Sequence, residues 1–500
     1  MRPERVVIVG GGIAGLSACL ELAHLGLHVT LLEKESSVGG KIRQLAPGSA
    51  DGLVDSGPTV FTMRWVFEEL FDTVNATFSD HIQTEPLDIL ARHTWGDRHL
   101  DLFADRNKSA DAIASFSSPA EAKAFLEFCA MAKKVYGALE TPFIKSARPS
   151  MLGMMAALGI SQSKPLMEIG PFSDLWSSLG KYFRDPRLHQ LFGRYATYCG
   201  SSPFLAPATL MLIAQVEMDG VWSVKGGMAQ IPKAIALLAK SKGAVIRTDT
   251  HIRQLHRQAN RIESIELMDG ERIPADYLIF NGDINALRQG LLGESIIPAI
   301  AKAIPNSRSL SAITWSMQVK TSGFPLVRHN VFFNQPYQHE FRDIFEKKIY
   351  PMSPTVYVCA QDRTDSGDPL HDPERLLCLV NAPAIGDEQH INHKEIERCE
   401  QTAFSLLQRC GLKIEQSAHQ VIRTTPTEFN RLFPGRGGAL YGQATHGWMS
   451  SFQRSNALSK LDNLFLAGGS VHPGPGVPMA ALSGRQAVAA LMARLNSTKR

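Results

Sequence analysis

A chain of 500 residues, 44% hydrophobic and 20% charged, is globular in composition and too long for one ordinary core, so two domains, sequential or interleaved, are expected. A formal net charge of +4 over that length argues against a nucleic-acid binder. The seven cysteines form no C-x-x-C pair, which points to incidental thiols in a reducing compartment rather than a disulfide framework or a zinc ribbon.

The chain opens on Val6-Val7-Ile8-Val9, a buried-strand pattern that runs into Gly10-Gly11-Gly12-Ile13-Ala14-Gly15. Gly10, Gly12 and Gly15 have the G-x-G-x-x-G spacing of a dinucleotide cradle: a tight turn, close approach to a pyrophosphate, and close helix-strand packing. The helix that follows aims its N-terminus at the phosphates. Four apolar residues before the glycines are too few for a signal peptide, so the run is read as the first strand of a cytoplasmic protein. A second strand, 28–32, ends at Glu33-Lys34, where an acid would bind a ribose hydroxyl. Beyond it stands a second glycine pair, Gly39-Gly40, with Lys41, and then Asp55-Ser56-Gly57-Pro58-Thr59. Residues 63–71 read as a helix serving the core.

Residues from about 85 to 220 read as mainly helical. Between 131 and 194 there are nine basic and four acidic residues, interleaved with Met151, Leu152, Met154, Met155 and Leu158, a pattern suited to an anionic bilayer surface or to a solvated face over a methionine-rich core. No run reaches the about 18 uninterrupted apolar residues of a spanning helix. Gly226-Gly227-Met228 starts a helix to about 239, followed by strands near 245, 252–255, 262–267 and 275–280, with Asp269-Gly270 as a hairpin turn. From 301 to 455 strands at 310–319, 355–359 and 376–380 and a helix at 394–410 suit an α+β substrate domain. His390 and His393 with Glu388 and Glu395 imitate a metal cluster, but Asn392 beside them reads as a helix cap, so no metal is expected. The chain closes on a strand at 463–467, Gly468-Gly469, then Gly476-Val477-Pro478-Met479 at the start of a last helix, a second cradle whose helix N-terminus suits an electron-rich ligand edge.

Together these motifs resemble the two-part N-terminal signature and C-terminal cradle of FAD flavoproteins of the amine oxidase and carotenoid desaturase class, with Lys41 where arginine is usual and Gly469 where many flavoproteins have aspartate. Over almost the whole chain the sequence resembles the bacterial phytoene desaturase family. Residues 57–64, 211–222 and 441–448 are most similar to its 1-hydroxycarotenoid 3,4-desaturases, also called methoxyneurosporene dehydrogenases. The resemblance implies an α/β fold: a Rossmann-type FAD-binding domain (1–85, 221–300 and 456–500) interleaved with an α+β substrate domain (301–455) and a helical, membrane-facing cap (86–220). It also implies FAD near Gly10, Gly11, Gly12, Ile13, Ala14, Gly15, Glu33, Lys34, Gly40, Lys41, Gly57, Pro58, Thr59, Gly468, Gly469, Gly476, Val477, Pro478 and Met479, with Val245 near the adenine.

The activity implied is desaturation of an acyclic carotenoid, the 3,4-desaturation of a 1-hydroxycarotenoid, with phytoene desaturation as the alternative. Oxygen or a quinone would accept the electrons, and the protein would sit peripherally on the bacterial inner membrane. Removing two hydrogens from an unactivated C–C bond needs an acceptor that no side chain supplies and a flavin does. No residue's context demands a strong base; His446 and Arg148 are the candidates. Two rivals share the architecture: a polar-amine oxidase, and a flavin-free prenyl-lipid carrier of the GDP-dissociation-inhibitor type.

Overall fold

In the computed structural model residues 4–48, 52–150, 153, 167–168, 170, 172–300, 308–363, 369, 371–389, 392–415 and 420–498 are described. The opening strand Arg5–Val9 is the centre of a five-stranded parallel sheet, between His28–Leu32 and Tyr277–Phe280, with Val245–Arg247 and Leu464–Leu466 at the edges. Strands remote in sequence thus form one layer. Val6 and Ile8 face the helices Ile13–His24, Gln230–Ser241 and Val477–Thr498, while Val7 faces the antiparallel meander Ile252–Gln258, Arg261–Leu267 and Arg272–Pro274. A central parallel strand covered on both faces must be apolar on both, hence the unbroken run 6–9. The last helix touches the first backbone to backbone: a Cβ on Gly484 would lie 2.2 Å from the Ala14 carbonyl oxygen.

A second, eight-stranded sheet is built mainly from the C-terminal half, with Ser311–Gly323 pairing Glu374–Ala382, Leu412–Glu415 and Val421–Thr424. Val356–Ala360 and His329–Phe332 continue it. Side chains alternate along each strand. Ile313, Trp315, Met317, Cys378 and Val380 pack with Ile396, Cys399 and Ala403 of the helix His393–Arg409, whose N-cap is Asn392, its side chain accepting the Glu395 N–H. The opposite face turns toward the parallel sheet.

Two expectations change. Residues from 85 on are not helical throughout: Ile89–Trp95 and Arg98–Phe103 are strands that extend the large sheet, the first parallel to His329–Phe332. His93 and Thr94 are both buried there, so the stretch shows no clean alternation to betray a strand. Helices begin at Arg106–Phe116 and Pro119–Leu139, whose caps Asp105 and Ser118 accept N–H groups of the first turn. They pack with Pro186–Gly193 and Leu212–Met218 in a separate aromatic-rich core. The helix expected over 63–71 starts at Trp65, leaving Met63 in the left-handed region at φ 48. No described helix is long and apolar enough to cross a membrane. The methionine-rich positions 151, 152, 154, 155 and 158, and His390, lie outside the described residues.

Candidate functional site

The first strand and first helix present a cradle of main chain. Gly15 packs on Gly10 so closely that a Cβ would stand 2.1 Å from the Gly10 carbonyl oxygen. The buried Glu33 carboxylate accepts the Gly11 N–H at 2.7 Å and the Glu35 N–H at 2.9 Å, so the acid is oriented beside the glycines with lone pairs remaining for a ribose. The Gly39 N–H donates to the Gly11 carbonyl at 2.8 Å, tying the second glycine pair to the first. Lys34 extends its Nζ to the Arg431 carbonyl. Asn281, which the glycine pattern does not reveal, donates from Nδ2 to the Gly10 carbonyl at 3.0 Å and lies between that turn and Gly468.

Lys41 and residues 56–59 carry the cradle onward. A Cβ on Gly57 would lie 1.9 Å from the Lys41 carbonyl oxygen, so this crossing admits only glycine. Lys41 Nζ donates to the Leu440 carbonyl, 5.5 Å from the centre of the Phe433 ring, and burial lowers its pKa against the raising effect of Asp283. Asp283 also pairs with the buried Arg436 at 3.2 Å. Arg454 donates to the Gln443 carbonyl at 2.7 Å, and burial lowers its pKa to about 10. Gly12, Ile13, Ala14, Lys34, Gly40, Pro58, Thr59, Gly468, Gly469 and Gly476 through Met479 all line the same cavity.

That cavity, about 1210 Å³, continues past the cradle into a chamber whose roof is the inner face of the large sheet. Thr314, Leu379, Tyr357 and Val331 form one cross-strand row there, register partners in turn. The Tyr357 hydroxyl bridges Thr59 Oγ1 and His329 Nδ1, both at 2.7 Å, and burial holds the His329 imidazole down to about 3. Arg194 donates to the Tyr198 hydroxyl, which donates on to Glu217 at 2.7 Å, so one phenol links this buried charge pair, and Tyr195 donates to Glu217 as well at 2.7 Å. Aliphatic lining comes from Leu139, Ile144, Leu210, Ile213 and Val216.

Three expected positions fall elsewhere. Val245 is 54% exposed on the edge strand and lies outside the cavity; Thr250, His251 and Ile252 line it instead. The Thr250 N–H donates to the Glu33 carbonyl, which fixes that loop beside the acid. The shift follows from the fold: the edge strand pairs Val245 with Thr30 and turns its side chain to solvent, and the chain reaches the cavity only after leaving the sheet. His446 Nε2 accepts the Ser202 N–H at 3.0 Å with its ring against Phe345, a loop-tying histidine outside the lining. Arg148 is exposed and outside the lining too.

A dinucleotide fits the cradle by its donors, its acid and the absence of room for any Cβ at Gly15 and Gly57, and the joined chamber gives a flavin ring an apolar neighbour. Residues 13–492 match the flavin-containing amine oxidoreductase family. The hydroxyneurosporene desaturase of Rubrivivax gelatinosus is 55% identical over 100% of this chain and 95% of its own. The 1-hydroxycarotenoid 3,4-desaturase of a Flavobacterium species is 28% identical over 96% of this chain and 98% of its own. Among solved structures, a conjugated-linoleic-acid-producing fatty acid isomerase from P. acnes superposes with a TM-score of 0.59 at 12% identity, covering 97% of this chain and 98% of that one. The chain belongs to the flavin-containing amine oxidoreductases and, within them, to the carotenoid desaturase family: it is an FAD-dependent oxidoreductase acting on CH–CH bonds.

Proposed function

We propose that the chain forms the 3,4 double bond of an acyclic 1-hydroxycarotenoid of the 1-hydroxyneurosporene type. The observation that carries this reading is the single cavity in which a glycine cradle opens into an aliphatic and aromatic chamber. The full-length relationship to a hydroxyneurosporene desaturase supports it.

In this reading residues 10–15 and the first helix hold the pyrophosphate of FAD, Glu33 the ribose, and Thr250, His251 and Ile252 the adenine. Gly40, Lys41, residues 57–59 and Gly468, Gly469 and residues 476–479 surround the ribityl chain and the ring. When bound, FAD supplies the acceptor for hydrogen leaving an unactivated C–C bond. The chain's own residues align the polyene and exclude water: Leu379 and Val331 from the sheet, Ile213 and Val216 from the helix Leu212–Met218. His329 is neutral and bonded to Tyr357, and His446 accepts a backbone N–H, so neither is assigned as a base.

The substrate is insoluble, at about 0.8 kcal/mol per CH₂ kept in water, so it must be drawn from lipid. Phe172 and Met167 of the cavity lining are 73% and 67% exposed, and Phe172 meets Trp448 edge to face at 5.0 Å. An apolar mouth of this kind suits peripheral contact with a bilayer. Flotation with anionic liposomes at low salt tests that contact, and a protein left at the bottom of the gradient removes it. Turnover further needs an external electron acceptor, a quinone or oxygen.

The reading itself is tested by expressing the chain in cells that make phytoene, neurosporene or 1-hydroxyneurosporene and identifying the products. A new 3,4 double bond in the hydroxylated carotenoid is expected; conversion of phytoene would replace this reading with phytoene desaturation.

A further inference from the structure

Thr314 is 3% exposed and lines the cavity, yet its hydroxyl has no hydrogen-bond partner. Its neighbours in the strand, Ile313 and Trp315, go to the other face and into the core. Two positions along, Ser316 Oγ meets Ser56 Oγ at 2.7 Å, and two register steps across, Tyr357 meets Thr59. Thr314 therefore stands over residues 56–59, of which 57–59 are placed above around the ribityl chain and the flavin ring.

The other buried threonine hydroxyls of the lining are engaged: Thr59 with Tyr357, Thr197 with the Arg194 carbonyl, Thr250 with the Thr248 carbonyl, Thr355 with Glu340, and Thr445 with Arg454. Arg194 also keeps an unpartnered Nε, but its guanidinium is committed to Tyr198 and the Glu217 pair, and it bears on His93 at the far end of the row.

A tertiary hydroxyl carried into an apolar chamber loses its bonds to water and needs a partner; so does a buried threonine hydroxyl. In a 1-hydroxy end group the oxygen is three bonds of about 1.5 Å from C3, so whatever grips the hydroxyl also places the C3–C4 bond. We propose that Thr314 Oγ1 binds the substrate's 1-hydroxyl and so selects both the hydroxylated end group and the bond that is desaturated. This inference rests on the desaturase reading above. It accounts for specificity by the stronger of two devices: an apolar pocket hardly rejects a hydroxyl, whereas a site built to bond one disfavours the analogue that leaves its polar group unpaired.

The test uses purified, flavin-loaded protein as wild type, Thr314→Val and Thr314→Ser, with 1-hydroxyneurosporene and neurosporene each supplied in liposomes. For Thr314→Val the ratio of kcat/KM for the hydroxylated over the hydroxyl-free carotenoid should fall about tenfold. Thr314→Ser should keep the ratio near wild type. Affinity for 1-hydroxyneurosporene, read by quenching of tryptophan fluorescence, should fall with it in Thr314→Val. An unchanged ratio in Thr314→Val overturns the inference while leaving the desaturase reading intact; a wild type that desaturates neither carotenoid overturns that reading. Should the valine variant not retain flavin, Thr314→Ala is judged by the same ratio.

Discussion

At residues 10–15 the surface offered to a ligand is main chain, whereas at Thr314, Tyr357 and Leu379 it is side chain drawn from three different strands. The two surfaces meet in one cavity, but they respond to change in opposite ways. A backbone cradle works because nothing projects from it, so one added methyl group destroys it. A wall of side chains can exchange one shape or polar group for another while its strands keep their pairing, which is where specificity can be altered without loss of the fold.

The largest effect is expected at the cradle. In Gly15→Ala the new Cβ would sit 2.1 Å from the Gly10 carbonyl oxygen, against rigid backbone rather than a movable side chain. A loss of about 3 kcal/mol or more in stability is expected, together with loss of bound flavin, measured by denaturant unfolding and by visible absorbance after gel filtration. A yellow Gly15→Ala protein of normal stability would mean that the first helix does not approach its strand so closely.

In the chamber the comparison predicts a smaller and more local change. Tyr357→Phe removes one oxygen and leaves Thr59 Oγ1 and His329 Nδ1 without their shared partner. A cost of about 1–3 kcal/mol is expected, with flavin retained. Equal loss of flavin in Tyr357→Phe and Gly15→Ala would erase the distinction between the two regions.

The smallest effect concerns His446, which belongs to neither surface. Burial lowers its pKa from 6.5 to about 4. The unfolded chain therefore binds a proton that the folded chain refuses, and stability is lost as pH falls from about 6.5 toward 4. His446→Gln keeps an acceptor for the Ser202 N–H and should lessen the fall in melting temperature across that window, the part due to the buried His329 remaining, while activity near neutral pH changes little. A large loss of activity there would restore His446 as a catalytic candidate.

The same contrast explains what could be read from residues alone. Gly10, Gly12, Gly15, Glu33 and the Gly39-Gly40 pair were legible because a backbone cradle imposes a residue type at a set spacing. Thr314 and Leu379 lie in strands that were legible too, but alternation along a strand says only that two faces exist, not which one meets the cavity or which strand lies alongside. The family resemblance points to Val245, but its side chain faces solvent on the edge strand, and Thr250, His251 and Ile252, which line the cavity there, carry no type signal. Asn281 was hidden for another reason: its role depends on two turns remote from it in sequence, at Gly10, 271 residues away, and at Gly468 on its other side, being brought together.

The central claim is that cradle and chamber act together on one hydroxylated polyene. The most direct measurement is a single turnover without oxygen, mixing the purified yellow protein with 1-hydroxyneurosporene in liposomes. The account predicts bleaching of the oxidised-flavin absorbance in step with formation of one product, lighter by two hydrogens and unsaturated at C3–C4. Flavin that stays oxidised beside unchanged carotenoid, in a protein shown to be folded and fully flavin-loaded, would contradict it.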